Sequence, residues 1–503
     1  MLTRAAAQRH RLAVALVLAL TTYAFWPVLG NGFVGWDDPQ NFTENPHYRG
    51  LGWAQLKWMF TTFHMGPYIP LTWMSLAIDY LVWGLDPTGY HLTSLLLHAV
   101  NGVLFYMVAE RVLAIGATPN GTLARTSPPG ALVAALVFSV HPLRVESVAW
   151  ATERRDVLCG FFFLISLVFH LESLNASGNE RRGWRIGSLL AYLFSLLSKA
   201  ASVPLPVLLV VLDAYVAKKR SPERALSLAD FARSLHDKLA YFVLAIPFAA
   251  AAVLGQSQSS IMASPGSLGL FDRVAVVAYG VVFYVWKTVW PHGLSPFYQL
   301  PRPFNAFEPR FLIFVLLVLF ATFAAVRVAG RRPAFLTAWM WYVVALLPTS
   351  GALQTGFQIA ADRYTYLPCL GWAILAGAGV SRAADRLAER RLAAARSFYV
   401  AVACLIGGLV LATRAQTRFW HDSVSLWQRV VDVEPNSITG RNNFGASLAE
   451  QGRFPEAIAN FRSVLERDPD NVAARGNLDM ALRLTKAAGK SSEGAGDRPA
   501  SSR

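Results

Sequence analysis

Runs of apolar residues close to the length of a bilayer span recur along most of this chain. They predict about eleven transmembrane helices, at 12–30, 91–111, 130–141, 156–171, 186–198, 202–217, 239–255, 309–326, 334–348, 365–380 and 397–413. A helix needs roughly 20 residues to cross the hydrocarbon core, and several of these runs are shorter. The pattern predicts an all-α, polytopic membrane domain over residues 1–413.

Three further apolar segments do not fit as spans. The segments 68–84 and 273–290 each contain a charged residue, and if either alone crossed the membrane, the arginines of 327–332 and 382–396 would lie outside. In 51–63, Trp53, Leu56, Phe60 and Phe63 share one helical face. Trp and Tyr favour the headgroup layer, and amphipathic helices lie in it. We therefore expect interfacial helices within two long external loops, 31–90 and 256–308. Loops of this length are usually functional.

The pattern changes after residue 413. The segments "VDVEPNS" and "ERDPDNV" place Pro435 and Pro469 34 residues apart, the period of tetratricopeptide (TPR) repeats. Each such helical unit buries one face only by stacking on the next. We predict TPR repeats over 414–487 and a disordered, Ser/Gly/Ala-rich tail over 488–503.

Composition agrees with the membrane prediction. The chain has 503 residues, 54% hydrophobic and 15% charged, where a soluble protein carries about a quarter charged residues. Its net charge of +15 would suggest nucleic acid in a soluble protein, but the predicted cytoplasmic segments hold most of the Lys and Arg before residue 413, so no nucleic-acid partner is expected. This asymmetry predicts a membrane protein with a cytoplasmic N-terminus and with its repeats on the non-cytoplasmic side. The first apolar run is too long for a signal-peptide core, so we interpret it as an uncleaved span.

Ionisable residues collect at the predicted external edge of the membrane, where they are costly and usually functional. Two acids follow the first span, a dense group lies in the linker "HPLRVESVAWATERRDVL" (141–158), and others flank later spans. The candidate site residues are Asp37, Asp38, His141, Glu146, Arg154, Arg155, Asp156, Lys199, Asp362 and Arg363.

This set of acids and cations suggests sugar transfer from a lipid phosphate. Arg and Lys can hold the phosphate of a polyprenyl-phosphate-linked sugar, and the predicted ligands are Arg363, Lys199, Arg154 and Arg155. Either Asp37 or Asp38 can act as general base on an acceptor hydroxyl, and the residues do not rank the two. No metal-binding spacing occurs, and the three cysteines suggest neither a disulfide nor a zinc site.

Two other functions remain open at this point. A non-catalytic membrane scaffold could use the repeat groove to recruit a protein partner. A lipid-carrier or polysaccharide transporter could use the same cations, although inverted repeats typical of transporters are not evident.

Four motifs together resemble a known family. They are "GLDPTGYHLTSLLLH", "HPLRVESVAWATERRDVL", "LLSKAASVPLP" and "ADRYTYLPCLG". With the repeats, they are similar to the transmembrane and TPR-repeat-containing O-mannosyltransferases and their bacterial relatives, of the GT-C superfamily. His91 and Tyr364 lie within these motifs and are further pocket candidates. In "LLSKA" the chain keeps Lys199 but has Ala200 where the family has Glu.

The resemblance implies a GT-C fold of eleven spans with its active site on the luminal or periplasmic face. It implies a polyprenyl-phosphate-linked sugar as donor, mannose in the eukaryotic branch, and a protein Ser or Thr hydroxyl as acceptor. It places the catalytic acid at Asp37 or Asp38. Membrane lipids and a protein bound by the repeat groove are the other expected partners.

Overall fold

The computed structural model of the protein describes residues 4–115, 123–221, 223–224, 227–257, 268–301, 303–352 and 356–496. In chain order the helices are α1 (Arg4–Phe25), α2 (Trp53–Thr61), α3 (Pro70–Trp83), α4 (Pro87–Ile115), α5 (Leu123–Ser139), α6 (Val145–Ala149), α7 (Arg154–Ser173), α8 (Gly178–Ser198), α9 (Leu205–Arg220), α10 (Leu228–Asp237), α11 (Leu239–Ser257), α12 (Leu270–Val289), α13 (Pro309–Val328), α14 (Pro333–Leu346), α15 (Leu370–Arg390), α16 (Leu392–Thr417), α17 (Ser423–Val433), α18 (Ile438–Glu450), α19 (Phe454–Arg467) and α20 (Val472–Gly496). The predicted helical class is confirmed.

Several helices are suited to a bilayer. Among the described residues, six helices are long and apolar enough to cross a membrane, and eight are if two bent pairs each form one span. The protein is therefore a multi-pass membrane protein, while the predicted number of about eleven spans stays a prediction. The predicted span 186–198 lies within α8, and the predicted spans 334–348 and 365–380 overlap α14 and α15. None of these three helices is among the six that are long and apolar enough to cross a membrane.

The core of the membrane domain lies between α4, α5, α7, α8 and α15, which pack against one another. Its buried side chains include Phe105, Phe138, Phe163, Leu196 and Tyr366. α5 and α15 approach most closely at two glycines, where a Cβ added to Gly377 would lie 2.2 Å from the carbonyl oxygen of Gly130. Small residues allow this close approach of helices within a membrane.

The chain between α5 and α7 folds back into the protein. The helical pieces Pro142–Arg144, α6 and Ala151–Glu153 follow α5, and the axis bends by 52° across the break. Pro142 disfavours continuation of the helix before it, and His141 caps the new turn. The predicted linker 141–158 is thus a buried segment at one end of the helix bundle, with most of its ionisable side chains inside the protein.

The two predicted external loops contain helices where interfacial helices are expected. Loop 31–90 contains α2 and α3, and loop 256–308 contains α12 and the short strand β1 (Tyr298–Gln299). β1 pairs antiparallel with β2 (Gln358–Ala360), so the second loop is tied to the segment that precedes the turn Asp362–Thr365.

Four helices, α17 to α20, follow the membrane domain, each packed on the next. The ring of Phe461 in α19 lies against Gly445 in α18, where an added Cβ would come within 2.7 Å of the ring. This contact supports the TPR interpretation, which stays a prediction. The predicted disordered tail 488–503 is helical as far as Gly496, since no proline interrupts the chain up to that point, and residues 497–503 lie outside the described residues.

Candidate functional site

A buried glutamate just before α7 is the centre of a group of ionisable side chains. Glu153 is fully buried, and three cations reach its carboxylate. The Nζ of Lys199 lies 2.7 Å from its Oε2. An Nη of Arg155 lies 2.6 Å from its Oε1, and the Nε of Arg363 lies 3.3 Å from the same oxygen. We call the ion cluster the set Glu146, Glu153, Arg155, Asp156, Lys199 and Arg363.

Two further carboxylates complete the ion cluster. Asp156 Oδ1 lies 2.7 Å from the Nζ of Lys199. Glu146 pairs with the guanidinium of Arg363 and accepts a hydrogen bond from its backbone N–H at 2.8 Å. Burial alone would lower the pKa of Lys199, but Asp156 and Glu153 raise it, so the amine is held as an ammonium ion. The cluster thereby joins α6, α7, the end of α8 and the turn that contains Arg363.

The ion cluster exposes its cations more than its anions. The side chains of Arg155, Lys199 and Arg363 are 17%, 16% and 9% exposed. Those of Glu153 and Glu146 are 0% and 2% exposed. Among the described residues, the buried Nε of Arg155 has no hydrogen-bond partner. An unsatisfied buried donor costs about 1–3 kcal/mol.

Asp38 has the environment of a residue that fixes a loop. It is 1% exposed, and its Oδ2 accepts a hydrogen bond from the backbone N–H of Val34 at 2.9 Å. Its Oδ1 accepts from both the backbone N–H and the hydroxyl of Thr152, at 3.1 and 2.6 Å. Burial raises the pKa of Asp38 to about 7, against the opposing effect of the Thr152 and Val34 hydrogen bonds. The side chain ties the first loop to the turn before α7.

Asp37 differs from its neighbour. It is half-buried, and no hydrogen bond to a described residue perturbs its carboxylate. Burial raises the pKa of Asp37, while the nearby Arg155 and Arg363 lower it. Its carboxylate therefore lies close to the exposed cations with both oxygens available.

Arg154 does not join the ion cluster, in contrast to the prediction that it binds a donor phosphate. Its side chain is 0% exposed, and its Nη1 lies 2.7 Å from Asp79 Oδ2. Its Nε donates to the Ser94 hydroxyl at 2.9 Å and its Nη2 to the Tyr90 carbonyl at 2.5 Å. Neighbouring residues on a helix point about 100° apart, so Arg154 faces α3 and α4 while Arg155 faces the cluster. Arg154 neutralises a buried aspartate instead.

Both predicted histidines bond to backbone groups. His141 is 3% exposed, accepts a hydrogen bond from the Leu143 N–H through Nδ1 and places Nε2 3.0 Å from the Thr288 carbonyl. His91 is fully buried, with its Nε2 3.4 Å from the Gly32 carbonyl. These contacts indicate packing roles at the edge of the site.

The remaining predicted residues border the ion cluster. Asp362 is buried and accepts a hydrogen bond from the Tyr298 hydroxyl at 3.0 Å. Burial and the nearby Glu146 raise the pKa of Asp362. Tyr364 is half-buried, with the guanidinium carbon of Arg363 4.9 Å from its ring centroid. These residues support the position of Arg363.

Sequence reasoning did not select Glu153 or Trp150 as site residues. In the sequence "WATERRDVL", Glu153 looks like the exposed acid that often begins a helix. The structure instead places it in a buried turn, where it becomes the centre of the ion cluster. Trp150 lies 5.4 Å from the guanidinium carbon of Arg363. The available signal was the charge density at the start of an apolar helix.

A second polar group joins the end of α7 to the middle of α9. Asp213 Oδ1 lies 2.8 Å from His170 Nε2, and its Oδ2 accepts from Lys238 Nζ at 2.5 Å and from Ser234 Oγ at 2.9 Å. This group borders a cavity of about 340 Å³. At 1.5 Å per residue, α7 separates it from the ion cluster by roughly 25 Å. Among the described residues, no three His, Cys, Asp or Glu side chains form a metal site.

The chain is similar in sequence to protein O-mannosyl-transferases, which confirms the resemblance seen in its motifs. It is 25% identical over 475 residues to protein O-mannosyl-transferase Tmtc3 of Drosophila melanogaster, a match that covers 83% of this chain and 50% of the relative. It is 25% identical over 431 residues to protein O-mannosyl-transferase TMTC4 of Homo sapiens, which covers 78% of this chain and 56% of the relative. The chain thus spans about half the length of these curated relatives. No family model matches it.

Among solved structures, the chain is similar to the crystal structure of ArnT from Cupriavidus metallidurans bound to undecaprenyl phosphate. That match has a TM-score of 0.38 and 16% sequence identity, and it covers 94% of this chain and 76% of the other.

Proposed function

We propose that the protein is a membrane glycosyltransferase that moves a sugar, with mannose favoured, from a polyprenyl-phosphate carrier to a protein hydroxyl. The observation that carries this proposal is the half-buried Asp37 carboxylate beside Arg155 and Arg363, the partly exposed arginines of the ion cluster. The protein O-mannosyl-transferases to which the chain is similar supply the reaction class by their names.

The donor phosphate would bind at the cations of the ion cluster. Arg155, Lys199 and Arg363 are the partly exposed cations of this cluster. Charge-assisted hydrogen bonds from guanidinium to phosphate are short and strong. The buried carboxylates beneath hold these cations in place, so little ordering is required when the phosphate arrives.

The carrier tail would lie along α8, whose last turn leads to Lys199. The side chains of Ile186, Leu190 and Phe194 recur every four residues on this helix and are 50%, 51% and 42% exposed. Residues four apart share a helix face, so they form an apolar strip suited to lipid. The strip ends next to the cations that would hold the phosphate.

The reaction would be a single displacement with inversion at the sugar carbon. Asp37 accepts the proton of the acceptor hydroxyl, whose oxygen attacks the anomeric carbon. The bond from that carbon to the phosphate oxygen breaks, and the polyprenyl phosphate leaves as an anion. Arg155, Lys199 and Arg363 stabilise the charge that develops on the leaving group, the usual way in which fixed cations accelerate such a step. No group other than the phosphate anion has to leave.

The proposal also fixes an orientation. The ion cluster, Asp37 and the helices α17 to α20 would face the periplasm of a bacterial inner membrane, with the N-terminus in the cytoplasm. The acceptor protein would then meet the sugar donor outside the cytoplasm, next to the repeats.

The test is a transfer assay with the purified full-length protein in lipid nanodiscs. Polyprenyl-phosphate [³H]mannose is the donor, and denatured envelope proteins supply Ser and Thr hydroxyls. We expect label in protein with the wild type, and a loss of roughly 10²-fold or more with Asp37→Asn, the range for a general base. Glu44→Gln is the matched control, since Glu44 is an exposed acid in the same loop.

Two outcomes would contradict the proposal. One is a folded wild type that transfers neither mannose nor another hexose from its polyprenyl phosphate. The other is an Asp37→Asn variant as active as Glu44→Gln. Flux of the lipid carrier across the membrane without transfer would instead favour a transporter.

A further inference from the structure

The first helix of the C-terminal array contacts the loop that carries Asp37. The hydroxyl of Ser423 accepts a hydrogen bond from the Gly35 N–H at 2.7 Å, and the indole N–H of Trp427 donates to the Gly35 carbonyl at 3.2 Å. Both backbone polar groups of this glycine are therefore bound by α17. Just before it in the loop, the Gly32 N–H donates to the His421 carbonyl at 2.9 Å.

Gly35 allows this close approach because it has no side chain. A Cβ at this position would lie 3.0 Å from the Ser423 hydroxyl oxygen, closer than ordinary packing allows. The loop and α17 are thus fitted to each other two residues before Asp37.

Aromatic contacts continue from α17 towards the ion cluster. The ring centroid of Trp36 lies 4.5 Å from that of Trp150, with the rings stacked, and 5.3 Å from that of Trp427, with the rings tilted. Trp150 in turn lies 5.4 Å from the guanidinium carbon of Arg363. The residue that precedes Asp37 is therefore held between the array and the membrane domain.

The array also contacts the second loop. Glu434 Oε2 accepts a hydrogen bond from the Gln299 N–H at 2.9 Å, and the Ser437 hydroxyl donates to the Gln299 side chain at 2.8 Å. Gln299 belongs to β1, which pairs with β2 shortly before Arg363. The array thus touches both segments that flank the candidate site.

We propose that α17 is a working part of the active site, in which Trp427 and Ser423 are positioning residues that set where the Asp37 carboxylate stands relative to Arg155 and Arg363. This inference rests on the proposed function. It gives the repeats a second role besides any binding of an acceptor: without α17 the base is present but misplaced.

The physical reason lies in how few contacts Asp37 makes for itself. No hydrogen bond to a described residue perturbs its carboxylate, so its place depends on the backbone on either side. Asp38 fixes the backbone after it through Thr152, and α17 fixes the backbone before it through Gly35. A displacement of about 1 Å in a reacting group can cost about 10²-fold in rate.

The test compares Trp427→Phe and Ser423→Ala with Gln428→Ala, a control on the same helix. Its side chain donates a hydrogen bond to Asp432, also in α17. Trp427→Phe keeps an aromatic ring but removes the N–H that binds Gly35. Full-length variants in nanodiscs are measured for transfer kinetics, for the pH profile of kcat and for amide hydrogen exchange over residues 32–38.

We expect Trp427→Phe to lower kcat by about 10-fold or more with the KM for the donor unchanged, since the cations stay in place. The freed loop admits water to Asp37, which lowers the pKa that burial had raised, so the acid limb of the profile moves to lower pH. Exchange over 32–38 becomes faster. Ser423→Ala changes these readouts in the same direction, and Gln428→Ala changes none of them.

Unchanged exchange over 32–38 in both variants would overturn the inference, as would faster exchange with kcat and the acid limb unchanged. A wild type without transfer activity would defeat the proposed function instead, because the exchange comparison still shows whether α17 holds the loop. If Trp427→Phe does not fold, Ser423→Ala decides by the same criteria.

Discussion

At the scale of single residues, two adjacent aspartates have opposite environments. Asp38 is buried and accepts three hydrogen bonds, whereas Asp37 is half-buried beside two arginines with its carboxylate free of such bonds to the described residues. Adjacent residues in an irregular turn point in different directions. One of two neighbouring aspartates can therefore hold the backbone while the other stays available for catalysis. In the proposed mechanism, this difference favours Asp37 over Asp38 as the base.

The paired asparagine variants should separate these roles. Asp37→Asn should lower transfer by roughly 10²-fold or more. It should change thermal stability little, because no hydrogen bond to a described residue holds its carboxylate. Asp38→Asn should cost about 1–3 kcal/mol, since the amide N–H₂ would face the donors of Thr152 or Val34. Thermal unfolding in detergent, with Glu44→Gln as control, measures this. Equal melting temperatures for both variants would contradict the assignment.

Asp38 should also make stability depend on pH. Its folded pKa of about 7 lies above the 3.8 of a free aspartate, so the folded protein keeps a proton that the unfolded chain releases. Its contribution to stability is full below about pH 4 and falls as pH rises to about 7. The melting temperature of the wild type should fall more steeply than that of Asp38→Asn over this interval. Parallel curves would show that Asp38 does not titrate there.

The sequence predicted most site residues but could not rank them. Four of these residues lie at the edges of apolar runs: Asp37, Arg155, Lys199 and Arg363. A charged side chain at such a position has a high free-energy cost, so it indicates a functional role. Arg154 stands at such an edge too, but helical rotation, which letters do not show, points it at Asp79.

At the scale of elements, the ion cluster is a joint between chain segments that are distant in sequence. Glu153 on the turn before α7 binds cations from the end of α8 and from the turn Asp362–Thr365. Apolar periodicity predicts each helix by itself, whereas the joint depends on how α5 breaks at Pro142 and folds back. The sequence therefore predicts that the linker 141–158 is rich in ionisable residues, but it does not predict that the linker is buried.

Glu153→Gln should therefore destabilise the protein more than any exposed acid. Removing one partner of a buried ion pair leaves uncompensated charge and costs about 3–5 kcal/mol, and here three cations lose their shared anion. Thermal unfolding with Glu44→Gln as the matched control checks this. A melting temperature equal to that of the control would mean that the cations find other partners.

The contact of α5 with α15 offers a second test at this scale. Gly377→Ala would place a methyl group 2.2 Å from the Gly130 carbonyl oxygen and should force the helices apart. Gly379→Ala on the same helix meets nothing within 4 Å and should be neutral or stabilising by about 0.5–1 kcal/mol. The melting temperatures of the two variants are compared, because Gly377→Ala introduces a steric clash whereas Gly379→Ala changes only the backbone entropy. Equal values would contradict the close packing.

At the scale of the whole molecule, the two polar groups lie at opposite ends of α7. Arg155 and Asp156 of the ion cluster stand at its start, and His170, paired with Asp213 of α9, lies near its other end. Since α17 binds the loop of Asp37, the array lies at the ion-cluster end. Charge asymmetry in the sequence predicts this end to be periplasmic.

Cysteine labelling in intact spheroplasts should reveal that orientation. In a Cys404→Ser background, Asp470→Cys in the array should react with a membrane-impermeant maleimide, and Glu223→Cys near the other end should react only after permeabilisation. Both positions are exposed, and the other native cysteines, Cys159 and Cys369, are buried. The reverse pattern would place the candidate site in the cytoplasm.

In the proposed mechanism, the partly exposed cations of the ion cluster bind a lipid-linked donor phosphate while Asp37 faces the sugar. The decisive measurement is cryo-electron microscopy of the protein in nanodiscs with an unreactive polyprenyl-phosphonate mannose analogue. We expect the phosphonate within hydrogen-bond distance of Arg155, Lys199 or Arg363, and the anomeric carbon on the side of the Asp37 carboxylate. An analogue bound at the Asp213 end, or one bound with Asp37 turned away from the sugar, would contradict it.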